Sequence, residues 1–234
     1  MAKIIDSLSV FFPTYNEEGN IEKVTSDVAK VLEKVVGDWE IIIVNDGSTD
    51  KTLEIAQKLA KNSNGRIKVV THNINRGYGG ALKTGFSEAK YKWVAFMDSD
   101  GQFDFSEIEK FIQKRNDADL ILGFRKNRAD SFARKVFTFG WSSLARILLG
   151  LTVKDYSCGF KMIKKEVYNR VIPLVGEEKV TQIEMLVKAK RMGFKFAEVG
   201  VNHYPRTSGI QTGAKLKIVI KSVIDIFKLW KKLK

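Results

Sequence analysis

Up to about residue 125 the chain alternates short apolar runs with stretches of helical periodicity, and no other feature restricts its possible folds so strongly. The runs at 8–12, 40–45, 67–71, 93–98 and 120–123 are rich in Val, Ile, Phe and Leu and read as strands. Between them, 17–36, 51–61, 79–90 and 106–115 read as helices. Strands that are apolar almost throughout predict an α/β, doubly wound, mostly parallel sheet covered on both faces. Right-handed crossovers then put ligands beyond the carboxyl ends of the strands, so polar residues gathered there are the candidates for chemistry.

Three strand ends carry such residues. The run ending at Met97 is followed by Asp98-Ser99-Asp100-Gly101-Gln102. Asp98 and Asp100 are two apart and share one face of a regular strand, while the turn at Gly101 swings Gln102 towards the same point. Two carboxylates and an amide oxygen suit Mg²⁺ or Mn²⁺ and argue against Zn²⁺. A surface turn with two solvated acids would show the same pair, so the context decides. The first run ends in Pro13-Thr14-Tyr15-Asn16-Glu17, which offers a flat aromatic, Tyr15, beside polar groups, with Glu17 and Glu18 suited to a helix's first turn. The second ends in Asn45-Asp46-Gly47-Ser48-Thr49-Asp50, where Asp46 can accept from a base N–H and Ser48 or Asp50 can cap the next helix. After the third, Asn75-Arg76-Gly77-Tyr78-Gly79-Gly80-Ala81 opens a helix with small residues that let a backbone approach an anion, or that simply make a tight turn.

Length and composition bound the rest. The 234 residues, 44% of them hydrophobic, suffice for one well-filled domain. The single cysteine, Cys158, excludes an intramolecular disulfide and fits a reducing cytoplasm. Residues 1–6 lack the apolar core of a signal peptide, and no run reaches the roughly 18 apolar residues of a membrane span, so the expectation is a chain that does not cross a bilayer by itself. The formal charge of +13 attracts phosphates in nucleotide, anionic lipid or nucleic acid. Zinc-finger, RNP-type and basic-zipper patterns are missing, which argues against a nucleic-acid partner.

The three strand-end segments, in this order and spacing, resemble the family-2 nucleotide-sugar glycosyltransferases of GT-A fold over roughly residues 7–125. The resemblance implies that Pro13, Tyr15, Glu17 and Asp46 line the nucleoside pocket. It also implies that a divalent cation on Asp98, Asp100 and Gln102 bridges the diphosphate, with Asp100 and Arg125 as the catalytic pair. Asn45 stands where the family often has a second Asp.

Beyond residue 125 the alternation is lost and the segments become more basic and aromatic. Arg125, Arg134, the turn Asp155-Tyr156-Ser157-Cys158-Gly159-Phe160-Lys161, Arg206 and Lys215 resemble the dolichyl-phosphate mannose synthase branch, in which such arginines and a lysine surround the acceptor phosphate. Here the family's Asp-Pro-x-Ser-Gly-Phe turn has Tyr156 in place of Pro and Cys158 between Ser157 and Gly159. A phosphate acceptor needs no proton removed, so both histidines, His72 and His203, are free to be structural. Glu184 matches an acidic position near the acceptor but also reads as a helix-surface glutamate.

Two amphipathic stretches complete the chain. Residues 132–153 are aromatic and apolar with a basic start, and 216–233 set Leu216, Val219, Val223, Phe227 and Trp230 against Lys217, Lys221, Lys228 and Lys232. The second reads as an interfacial helix on anionic lipid with Trp230 near the headgroups, or as a helix packed on the sheet. The expectation is therefore a GT-A domain at 1–212, with a nucleotide-sugar half to 125 and an acceptor half after it, followed by an amphipathic helix at 213–234. It would work peripherally on the cytoplasmic face of a membrane, passing a sugar with inversion from a nucleotide-diphosphate sugar to polyprenyl phosphate. Mannose is favoured, with a UDP-sugar-dependent glucosyl or N-acetylhexosaminyl transfer as the alternative.

Overall fold

The computed structural model describes residues 3–126, 148–176, 178, 180–206, 208 and 227–231. The strands are β1 (Ile5–Thr14), β2 (Val36–Asn45), β3 (Ile67–Thr71), β4 (Trp93–Met97), β5 (Leu120–Arg125), β6 (Phe160–Lys164) and β7 (Phe196–Val201). The helices, in chain order, are α1 (Ile21–Val35), α2 (Thr52–Lys61), α3 (Gly77–Glu88), α4 (Ile108–Gln113), α5 (Lys165–Val171) and α6 (Val180–Arg191). The strands form one sheet in the order β3-β2-β1-β4-β6-β5-β7. β6 is antiparallel to both its neighbours, and the other pairings are parallel.

Both faces of the sheet are buried, as the apolar strands require. Val10 and Phe12 belong to one core cluster with α1 residues Ile21, Val24, Val28 and Leu32, whose spacing keeps one helical stripe on the sheet. Phe11, between them in sequence, points to the other face and joins a second cluster with Leu82 and Phe86 of α3. There Phe11 meets Phe86 edge-on at 5.0 Å and stacks on Phe96 at 5.4 Å. Each such buried side chain contributes about 1.5–3 kcal/mol. A Cβ on Gly85 would fall 2.2 Å from the Phe11 ring, so only glycine lets α3 approach this closely.

The expected elements are present, with shifted ends. α1 starts at Ile21 because 15–20 form a turn with Asn16 at φ 54, which places Glu17 ahead of the helix and out of its first turn. α3 begins two residues early, at Gly77, and 106–115 divide into a 3₁₀ turn, Phe105–Glu107, and the short α4. β4 ends at Met97, so Asp98 is the first residue beyond the strand.

The second half is built into the sheet to a degree that its sequence hides. β6 carries Lys161 and Lys164, and β7 carries Glu198 and Gly200, which mask the apolar pattern. At the C-terminal end, Leu229 is buried and Trp230 packs, partly buried, against the second core cluster. Residues 213–226 and 232–234, and 132–147, lie outside the described residues. Among the described residues no helix is long and apolar enough to cross a membrane.

Candidate active site

Because β1 lies between β2 and β4, the three polar segments at their carboxyl ends converge. The first two are laced together by short side chains. Asn16 accepts from the Thr49 N–H at 2.8 Å, the Asn16 N–H donates to Ser48 Oγ at 3.0 Å, and the Glu17 N–H donates to Thr52 Oγ1 at 2.8 Å. Asp50 Oδ1 accepts from the N–H of Thr52, the first residue of α2, at 2.9 Å, although the N-cap position itself falls on Lys51. Pro13 is buried, and Tyr15 is partly exposed, at 40%.

Asp46 is buried and one of its oxygens is committed. Oδ1 lies 2.6 Å from His72 Nδ1 and accepts the Arg76 N–H at 2.8 Å, while His72 Nε2 is 2.9 Å from Thr84 Oγ1. His72 is structural in a specific sense: it holds the carboxylate expected to meet a base.

Beyond β4, Ser99 turns inward and donates to the Pro13 carbonyl at 3.1 Å, tying the third segment to the first. Asp98 Oδ1 accepts from the Tyr78 hydroxyl at 2.8 Å. A Cβ on Gly159 would fall 2.0 Å from Asp98 Oδ2, so glycine is what makes room for this carboxylate. Asp100 Oδ1 accepts the Gln102 N–H at 3.1 Å. Gln102 Nε2 donates to the Tyr204 carbonyl at 2.8 Å, which leaves Oε1 as the amide's acceptor.

Arg206 closes the site from the second half. Its Nη2 is 2.6 Å from Glu17 Oε1 and its Nη1 3.9 Å from Asp100 Oδ2. Glu17 also accepts from Asn20 Nδ2 at 2.7 Å. Burial and the Asp98 charge push the Asp100 carboxyl up to about 7, against the pull of the Gln102 N–H and Arg206. One guanidinium therefore does not balance the acids gathered here. Oxygen donors with surplus negative charge fit a hard divalent cation. Among the described residues, no three His, Cys, Asp or Glu side chains converge as a complete metal cage.

The acceptor candidates are placed unevenly. Arg125 ends β5 and is clamped by Asp155, with Nε to Oδ2 at 2.8 Å and Nη2 to Oδ1 at 3.1 Å, and Nη2 also reaches Ser157 Oγ at 2.9 Å. Arg134 and Lys215 lie outside the described residues. Glu184 is no surface glutamate: it is buried, accepts from the Val175 and Gly176 N–H groups at 2.9 and 2.6 Å, and pairs with Lys188. Burial pushes the Cys158 thiol up to about 11, so it serves neither as thiolate ligand nor as nucleophile.

Four residues around the site take no individual role from the sequence: Tyr78, Gly159 and Lys161, which lie within segments quoted above, and Gln182. Lys161 does break an apolar run between Phe160 and Met162.

A doubly wound sheet with one antiparallel strand, and carboxylates crowded at the ends of β2 and β4, defines a GT-A glycosyltransferase. The chain belongs to Glycosyl transferase family 2, whose profile matches residues 9–172. It is 32% identical over 214 residues to a dolichyl-phosphate beta-glucosyltransferase of Dictyostelium discoideum, covering 83% of this chain and 65% of that protein. It is 31% identical over 209 residues to a dodecaprenyl-phosphate galacturonate synthase of Rhizobium johnstonii, covering 87% and 60%. The chain thus spans somewhat less than two thirds of each of these two relatives. The fold is similar to that of glucosyl-3-phosphoglycerate synthase from Mycobacterium tuberculosis in complex with phosphoglyceric acid, with TM-score 0.73 and 19% identity over 97% of this chain and 80% of that one. The same synthase with Mn²⁺, uridine-diphosphate and phosphoglyceric acid gives TM-score 0.72 and 19% identity over 96% and 78%.

Proposed function

We propose that this protein transfers glucose from UDP-glucose to a polyprenyl (dolichyl-type) phosphate, with inversion at the anomeric carbon and with Mg²⁺ or Mn²⁺. The observation that carries the reading is the placement of Asp46 beyond β2 and of Asp98 and Asp100 beyond β4, on either side of β1, with Arg206 beside Asp100, which offers a base acceptor and a diphosphate end along one end of the strands. The kinship with enzymes named for dolichyl-phosphate glucosyl transfer favours glucose, and the mannosyl preference of the sequence gives way to its glucosyl alternative.

Tyr15 offers its face to the uracil ring, and Asp46, held by His72, accepts the ring N–H. Asp98, Asp100 and Gln102 Oε1 would hold the cation. When bound, that cation supplies Lewis-acid stabilisation of the departing diphosphate. The acceptor phosphate oxygen forms the new bond to the anomeric carbon as UDP leaves with the electron pair of the old one. No general base is required, because the nucleophile is already anionic. Arg125, Arg134, Arg206 and Lys215 are the cationic groups proposed to orient that phosphate. The acceptor's membrane location and the net charge of +13 suit a peripheral enzyme on the cytoplasmic face, drawn to anionic lipid.

The test incubates the purified protein with polyprenyl phosphate and a panel of labelled UDP- and GDP-sugars, with and without EDTA. UDP-glucose should label the lipid, and EDTA should abolish labelling. Labelling from GDP-mannose in preference would restore the mannosyl reading, and no labelling from any donor would end the lipid-phosphate reading.

A further inference from the structure

Lys161 is fully buried in β6, an expensive place for an ammonium unless each of its protons is used. It has three N–H donors, and three acceptors meet it: the Tyr156 carbonyl at 3.1 Å, the Cys158 carbonyl and Gln182 Oε1. Lysine only donates, so the Gln182 amide is oriented without ambiguity, oxygen towards Lys161 and Nε2 away from it. That Nε2 donates to the Tyr78 hydroxyl at 3.2 Å. The hydroxyl, having accepted there, turns its own proton to Asp98 Oδ1 at 2.8 Å. The chain Lys161, Gln182, Tyr78, Asp98 therefore runs in one direction, from a strand, through α6 and the first turn of α3, to a carboxylate just beyond β4. None of the first three side chains has a part in the transfer as described above.

We propose that Lys161, Gln182 and Tyr78 are positioning residues that fix the rotamer of Asp98 and thereby set how tightly the site holds a divalent cation with its nucleotide. The proposal rests on the donor-site reading given above. Tyr78 donates to one oxygen of Asp98, and Gly159 leaves just enough room for the other, so the carboxylate is located from two sides. Lys161 also gathers the carbonyls of Tyr156 and Cys158, in the turn whose Asp155 clamps Arg125. One buried cation thus ties the geometry of the cation-binding end to that of the proposed acceptor end. Outer partners of this kind are worth about 10–100-fold in metal affinity.

The experiment titrates Mn²⁺ into the full chain with UDP present, following free Mn²⁺ by electron paramagnetic resonance, with thermal unfolding measured without metal. Tyr78→Phe removes one hydroxyl and should weaken Mn²⁺ binding about tenfold or more with little change in melting. Gln182→Glu keeps an acceptor for Lys161 but also accepts from Tyr78, turning the hydroxyl proton away from Asp98. It should melt no lower than the unaltered protein and still bind Mn²⁺ about tenfold more weakly. Tyr168→Phe, whose hydroxyl donates to the Lys83 carbonyl, serves as the control and should bind normally. Binding by Tyr78→Phe within twofold of the unaltered protein overturns the proposal, and unchanged or tighter binding by Gln182→Glu overturns its directional part. If the unaltered protein fails to take up Mn²⁺ with UDP, the donor-site reading falls together with this one. Equal binding by the unaltered protein and Tyr78→Phe removes this inference alone.

Discussion

Arg206 and Glu17 meet at 2.6 Å across 189 residues of sequence separation, joining the segment after β7 to the turn after β1. Both side chains are nearly buried, at 13% and 10% exposure, so removing one partner leaves an uncompensated charge in a poorly solvated place. Arg206→Ala should destabilise the protein by about 3 kcal/mol in urea unfolding, the lower end expected for breaking a buried pair. The double variant Arg206→Ala/Glu17→Gln should recover part of that loss. An additive cycle would show that the two side chains do not interact energetically.

The same arginine also faces Asp100, so its removal has a second reading. Arg206→Lys keeps the charge and loses the fork, and should restore less than half of the lipid-phosphate turnover lost in Arg206→Ala. Full restoration would mean that charge alone matters at this position.

Asp100→Ala should abolish sugar transfer and the Mn²⁺ dependence of UDP binding while the fold persists, because a residue beyond the strand end contributes little packing. Calorimetric titration of UDP with and without Mn²⁺ reads the second effect directly. Retained metal dependence would remove Asp100 from the cation site.

What was legible in the sequence followed from burial. Strands apolar on both faces announce themselves, and the acids that interrupt them at Asp46, Asp98 and Asp100 stand out because a carboxylate at that point has no packing role. The second half was less legible because its strands carry charges for internal reasons. Lys161 is paired with two carbonyls and Gln182, and Lys164 with Asp119. Such partners come from distant segments, so local periodicity reports only a broken apolar run. Tyr78 lay in view between glycines, but its link to Asp98 depends on the crossing of α3 over the sheet. Glu17 reads locally as a first-turn helix acid, because its partner Arg206 is 189 residues away.

Asp119 ties three strands of that second half. It precedes β5, accepts from Lys164 at the end of β6 at 2.7 Å, and accepts from the Lys195 N–H before β7 at 2.9 Å. Burial alone would raise its carboxyl, but the bonds from Lys164 and Lys195 and their charges outweigh burial and hold it below the ordinary 3.8. A depressed carboxylate stabilises the fold above its unfolded pKa, and that stabilisation is lost as pH falls through the folded value. Asp119→Asn should therefore cost about 1 kcal/mol at pH 7, a value kept small by partial solvent exposure. The gap to the unaltered protein should narrow below about pH 4. A gap independent of pH between 7 and 3 would show that the charge of Asp119 plays no part.

Gly159 offers the sharpest separation of fold from function. An added Cβ would lie 2.0 Å from Asp98 Oδ2 and 2.2 Å from Cγ, closer than any real contact, so something must give. The Asp98 N–H donates to the Gly159 carbonyl at 3.0 Å, which pins the two backbones together, and the side chain of Asp98 is the part free to move. Turning it away breaks its bond with the Tyr78 hydroxyl but opens no core cavity. Gly159→Ala should thus unfold within about 1 kcal/mol of the unaltered protein, as expected for a substitution that moves only a side chain at the site. Its turnover with UDP-glucose and polyprenyl phosphate, and its Mn²⁺ uptake with UDP, should each fall at least tenfold. A variant that melts normally and turns over normally would show that the rotamer of Asp98 seen here is not the working one. A variant that melts far lower would locate the role of Gly159 in backbone packing between β4 and β6.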